Sequence, residues 1–233
     1  MKRFWRTATA VGVAALLALT VAGPAQAADD RLDAAKRITT ARIDGRLAFL
    51  RALSLAVNNA RALTSAHKST LSTLIATDQT DLSALKTKVA GETTVEAVKD
   101  DATHMVNDFR VYLLVGPKVR LVVAADNGAA VASKLAQIRD RLAAALDKAA
   151  ANGTDVTDAR AKLADLDTKL AAANQALAGQ ADAALAIQPG PDGDAIRAAL
   201  APIRQNIHTA REDLRGAVQD ARAIRDFLKS LVK

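Results

Sequence analysis

The chain has no cysteine, one tryptophan, one tyrosine, four phenylalanines and five prolines in 233 residues. Without cysteine there is no disulfide framework, no thiolate nucleophile and no cysteine-rich metal site. Trp5 and Phe4 fall in the first segment, and beyond it the aromatics are Phe49, Phe109, Phe227 and Tyr112. That is too few for a base-stacking platform or for the interfacial belts of a membrane protein. Histidine is equally sparse, and His67, His104 and His208 lie far apart. Only His104 has an acid at helical spacing, Asp108. A first-row metal needs three or four protein ligands, so this reads as a surface pair rather than half a metal site. There is no Gly-x-Ser-x-Gly elbow, phosphate-cradling glycine loop or His-Glu-x-x-His. No catalytic, cofactor-binding or metal-binding residue is assigned, although carboxylates facing each other across helices escape motif reading.

What is present begins with a leader. Lys2, Arg3 and Arg6 precede an apolar run from Ala8 to Ala22, and Ala25-Gln26-Ala27 places small residues where a signal peptidase reads. The expectation is a signal peptide over 1–27, cleaved after Ala27, in preference to a retained anchor, for which the apolar run is short. No cysteine can carry a lipid, and no Arg-Arg pair suggests a twin-arginine signal. The remaining 206 of 233 residues can bury a core without disulfides. They hold 29 of the 32 basic residues against 25 acidic ones, a surplus of +4. Such a surplus falls short of a nucleic-acid footprint, so no nucleic-acid partner is expected.

Abundant Ala and Leu, with few β-branched clusters, predict an all-α chain. Its punctuation divides it into two regions. In 28–126, helices are expected over about 29–63, 65–90 and 94–126, opened by Asp29 or Asp30, by Thr64-Ser65, and by a capping box of Thr93 with Glu96. In 127–233 they are expected over about 128–151, 154–187 and 194–232, separated by Asn152-Gly153 and by Pro189-Gly190-Pro191-Asp192-Gly193. Apolar residues from Ile196 to Leu231 alternate by four and three through five heptads, a coiled-coil-like seam. Val156 to Leu177 repeat it, and so do Val131, Leu135, Ile138, Leu142 and Ala145. Asp33 with Arg37, Asp158 with Lys162 and Asp165 with Lys169 stand at i,i+4 on solvated faces. Pro202 lies near a helix start, where its missing N–H costs less. The expected architecture is an elongated antiparallel helical bundle of about five to six long helices.

The most apolar stretch after the leader is "RVYLLVGPKVRLVVAAD", Arg110 to Asp126. Its fifteen apolar-rich residues from Val111 are too short to span a bilayer, and Lys118 and Arg120 interrupt them. Pro117 opposes a tight hairpin, whose central residues favour positive φ. The heptad count through Phe109, Tyr112, Gly116 and Val119 predicts a helix bent at Gly116 and Pro117. Tyr112, Val115, Val119 and Val122 should be buried against the first two helices. Lys118 and Arg120 should reach outward and are the weak candidates for a partner or lipid surface. Asp126-Asn127-Gly128 breaks register, so a helix end or kink is expected there.

The stretches "LTSAHKSTLSTLIATDQTDLSALKTKV" and "FRVYLLVGPKVRLVVAAD" resemble uncharacterised, secreted, Ala-rich all-helical proteins of actinobacteria. The resemblance covers roughly Ala28 to Asp126, implies export and supplies no activity. The leading expectation is therefore an exported non-catalytic helical protein, a structural or protein-interaction module of the cell envelope or extracellular space. Its partner would be another protein or a second copy, with peripheral membrane contact less favoured. The alternative is reversible binding of lipid or an apolar ligand by opening the bundle around Val111 to Val123. An enzyme of unrecognised type is the third reading. No cofactor is expected.

Overall fold

The computed structural model describes residues 24–231, which form helices and connections without strands. The helices are α1 (Pro24–Asn59), α2 (Ser65–Gly91), α3 (Val95–Asn107), α4 (Gly116–Ala151), α5 (Thr157–Leu177), α6 (Gln180–Ala186) and α7 (Gly193–Ser230). A π-wound turn, Val111–Val115, leads into α4. Most of the expected leader, residues 1–23, lies outside the described residues, and its cleavage point after Ala27 falls in the first turns of α1. Asp29 and Asp30 are inside α1 rather than capping it.

Side-chain caps set several boundaries. The Thr64 hydroxyl accepts from the His67 amide at 3.2 Å, opening α2 as expected. Thr94, one residue later than the expected Thr93, caps α3 by accepting from Ala97 N. Asp192 accepts from the amides of Asp194 and Ala195, both at 2.9 Å, and opens α7. Each such cap satisfies donors that the helix leaves unpaired. Pro202 lies well inside α7, and the carbonyl it leaves without a helical partner belongs to the exposed Ala198.

Three expected boundaries differ. The helix expected over 94–126 ends at Asn107, and α4 starts afresh at Gly116. The one expected over 154–187 is divided at Gly179, whose φ of 68° turns the chain between α5 and α6. By contrast, Asp126-Asn127-Gly128 makes no break, because α4 runs through it to Ala151.

Cross-helix bonds give the directions. Lys36 Nζ reaches the Ala90 carbonyl, Lys86 pairs with Asp44 and Lys68 Nζ reaches the Asn58 carbonyl, so α1 and α2 are antiparallel. The helix α3 packs on both of them. Further along, Arg139 pairs with Asp167 and Arg160 with Asp147, setting α5 antiparallel to α4. Lys169 pairs with Asp220, not with Asp165 of its own helix, and joins α5 to α7, the most extensive helix pairing in the fold. The helices α4 and α7 run in the same direction and pack on each other as well as on α5. With ~1.5 Å per residue, the 38-residue α7 is about 57 Å long.

The α7 seam is buried from Ile196 through Ile224, and Val156, Ala159, Leu166, Leu170, Ala173 and Leu177 are buried opposite it. On α4 the expected seam is displaced. Leu135 and Leu142 are buried, but Val131 and Ile138 are 42% and 43% exposed. The reason is Arg139, which takes the position between Leu135 and Leu142 and grips both Asp167 oxygens at 2.6 Å. The inward face becomes Gly128, Ala132, Leu135, Arg139, Leu142 and Leu146, and Ile138 is left on the flank toward α7.

Candidate functional site

Gly116 and Pro117 do not form the expected bend. The chain turns before them at Arg110, which adopts φ 44° and ψ 36°. This left-handed conformation is costly for a residue with a side chain. Its guanidinium offsets the cost by donating to the Gly190 carbonyl at 2.7 Å, to the Pro191 carbonyl and to Asn107 Oδ1, tying this corner to the connection before α7. Gly116 N–H then donates to Val111 O, five residues back, in the widened turn. Pro117 occupies the first turn of α4, where a missing N–H does little harm. Gly116 is needed for a close approach: a Cβ there would meet the Phe49 ring of α1 at 2.9 Å.

Burial along this stretch is divided. Val115, Val119 and Val122 are buried as expected, but Tyr112 is 50% exposed. Its ring rests on Phe49 with centroids 5.2 Å apart, and the Arg46 guanidinium lies over it at 5.2 Å. The side chain is covered on one face, and its hydroxyl lies 3.3 Å from where a Cβ at Gly45 of α1 would stand. Arg120 is exposed as expected.

Lys118, expected outside, is buried at 4% exposure. Its ammonium donates to the carbonyls of Leu185 at 3.1 Å and Ile187 at 2.6 Å, at the C-terminal end of α6. A cation there complements the negative end of the helix dipole and satisfies orphan carbonyls. Two turns on, the same face of α4 carries buried Asp126. Its carboxylate accepts from Thr64 N at 2.9 Å, at the N-terminus of α2, and lies 2.9 Å from His67 Nδ1. An anion at a helix N-terminus is the matching arrangement. Asp126 thus has a defined place in α4, which is why the polar break in the seam does not break the helix.

His67 also brings Nε2 to within 3.2 Å of Asp182 on α6. One imidazole therefore joins α2, α4 and α6, and the bond to Asp126 raises its pKa above the usual value, with a smaller contribution from Asp182. Both ring nitrogens are occupied by carboxylates. The arrangement ties three helices together through one side chain. His104, by contrast, makes only the expected exposed contact with Asp108, at 3.5 Å. Among the described residues no three histidines or acids are placed to hold a metal ion.

Asp78 on α2 completes the polar strip. It is buried, its Oδ2 has no hydrogen-bond partner among the described residues, and burial pushes its pKa up to about 6, with Asp81 adding to the rise and Lys118 opposing it. Burial also lowers the Lys118 pKa, against the pull of Asp78.

A more apolar feature lies elsewhere. Between α4 and α7 runs a groove of about 290 Å³, floored by Leu135, Ile138, Leu142, Val218 and Ala221 and edged by Arg222 and Arg225. It continues past Ala145 and Lys148 toward Leu228 and Leu231, the last 43% exposed. The displaced α4 seam creates it, since Ile138 has no covering helix on that side. No helix among the described residues is long and apolar enough to cross a membrane. No family model, curated protein or solved structure matches the chain.

Proposed function

We propose that the chain is an exported, non-catalytic helical module that binds a partner protein through the groove between α4 and α7, in the cell envelope or outside the cell. The observation that carries this reading is the apolar groove between two long parallel helices, in which Ile138 is exposed and Val218 half-buried over a floor of buried Leu135, Leu142 and Ala221. An apolar floor beside charged edges is the composition of a recognition groove, in which a helix lays its apolar face between two others. The basic, apolar, small-residue order of the first 27 residues supports export. The opposite face of α4 favours the same division of labour. There most apolar residues of Val111 to Val123, Tyr112 excepted, are packed inward and Lys118 is fixed to α6, so opening the bundle around that segment to admit lipid would break both carbonyl bonds.

Affinity capture from the native culture and envelope fractions, with wild type and Ile138→Asp in parallel, tests the proposal. A protein retained in stoichiometric amount by wild type and lost from the variant is the expected result. Identical captures with the two baits, or capture of lipid alone, would refute it.

A further inference from the structure

The reading of the α4–α7 groove as a partner-binding site leaves the partner's chemistry open, and the walls of the groove supply it. We infer that the occupant is an acidic amphipathic helix of the partner protein. On α4, Lys134, Arg141 and Lys148 follow the face that exposes Ile138. On α7, Arg211, Arg222 and Lys229 follow the face that carries half-buried Val218, at spacings of four and seven residues. All six are exposed, and none forms an ion pair among the described residues.

Several acids of the two helices are already engaged by cations, including Asp140, which stands beside Arg141 and pairs with Arg139. Asp147 and Asp220 pair with Arg160 and Lys169 on α5, on the far side from the groove. Glu212 and Asp226, nearest on α7, are engaged by Arg215 and Arg225 of their own helix. The groove is thus apolar at the bottom and cationic along both rims. This arrangement selects against wrong occupants as well as for the right one.

Shape and charge together decide among occupants. A second copy docked groove to groove would oppose two cationic rows, which repel. A bilayer is flat, so it would meet the guanidinium rims and leave the apolar floor below them uncovered. A nucleic acid would engage the rims but has no apolar ridge for the floor. An amphipathic helix with leucine or alanine along one ridge and Asp or Glu on both flanks satisfies floor and rims at once. From Val131 to Ala149 the α4 wall is about 27 Å long at ~1.5 Å per residue, so about five turns of partner helix fill it.

The test is fluorescence anisotropy with three labelled peptides of about 18 residues. One has a Leu/Ala ridge flanked by Glu, one replaces each Glu by Lys, and one scrambles the acidic peptide so that no ridge forms. Vesicles of phosphatidylglycerol form a fourth arm. The acidic ridge peptide should bind, with affinity falling as salt rises, and the basic and scrambled peptides should be at least about tenfold weaker. Arg141→Glu with Arg222→Glu, and separately Ile138→Asp, should each weaken the acidic peptide by about tenfold or more. These positions are exposed, and circular dichroism checks that the variants keep their helix. Equal binding of acidic and scrambled peptides, or vesicle binding without peptide binding, would overturn the inference. Tighter binding of the basic peptide, lost with Ile138→Asp, would overturn the acidic assignment and leave the module reading standing. If neither peptide binds and the affinity capture shows no dependence on Ile138, both readings fail.

Discussion

Asp78→Asn should stabilise the protein at neutral pH and do much less in mild acid. The Asp78 carboxyl is buried with one oxygen unpaired, and its pKa in the fold is about 6 against 3.8 when exposed. A raised acid contributes stability that is fully present below 3.8 and is lost as pH rises through about 6, because the unfolded chain then releases the proton more readily than the fold does. The whole shift is worth ~3 kcal/mol, and about 2 kcal/mol of it is lost between about pH 4.5 and about pH 7.5. Asparagine has nearly the same shape and does not ionise. Its pH-independent effects on packing and hydrogen bonding cancel when the two pH values are compared. The stability of the variant relative to wild type should therefore rise by about 2 kcal/mol, or about 4–8 °C in Tm for a chain of this size. Thermal unfolding followed by far-UV circular dichroism measures it. Lys118→Met, which removes the opposing cation, should widen the wild-type pH dependence further. A gap between Asp78→Asn and wild type that is the same at both pH values would refute the reasoning.

Other perturbations probe separate parts of the fold. His67→Gln should destabilise by about 1–3 kcal/mol in mild acid, through loss of charge-assisted bonds to Asp126 and Asp182. Because the His67 pKa is raised in the fold, that contribution is complete below the ordinary value and disappears as pH rises through the folded one. Urea unfolding at about pH 6 and about pH 9 should show the difference shrinking at the higher value. Gly128→Val should cost about 1–3 kcal/mol by overpacking, since even a Cβ there would meet Leu177 Cδ1 at 2.9 Å. A neutral result in thermal unfolding would mean that the Leu177 side chain turns aside freely. Gly179→Ala should cost about 1–2 kcal/mol because its φ is positive, and amide exchange should locate the loosening at α5 and α6.

Local signals carried much of this fold. The α7 seam was legible because an apolar residue recurs every three or four positions and each one from Ile196 to Ile224 is buried. Thr64 was legible as a cap because it stands just before a long helical pattern. Arg110 was not, since its left-handed backbone depends on carbonyls at Gly190 and Pro191, some eighty residues away. Nor could spacing reveal that His67 would meet Asp126 and Asp182. The one visible trace was a charged residue breaking a seam, which reads equally well as a helix end. Lys118 misled because a cation among apolar residues ordinarily extends to water, and here the end of α6 is closer. The cationic rim was present in the sequence all along. Basic and acidic residues balance from Thr154 onward, so the total conceals which cations of α7 are paired and which are not.

The polar strip along α4 also has a consequence for how the two parts of the fold find one register. Leu71 and Ile75 on α2 and Val122 on α4 are fully buried, yet apolar contacts of this kind tolerate sliding along a helix. A slip of α2 by one turn, ~5.4 Å, would exchange one apolar neighbour for another. The same slip would take His67 and the Thr64 amide from Asp126, so that buried carboxylate would lose both partners together. Lys118 sets α6 against the other end of the same face by an independent pair of bonds. Burying these charges adds little net stability, since desolvation offsets much of the attraction. Their effect is to make every shifted arrangement worse, which separates one packing of α2, α4 and α6 from its near neighbours.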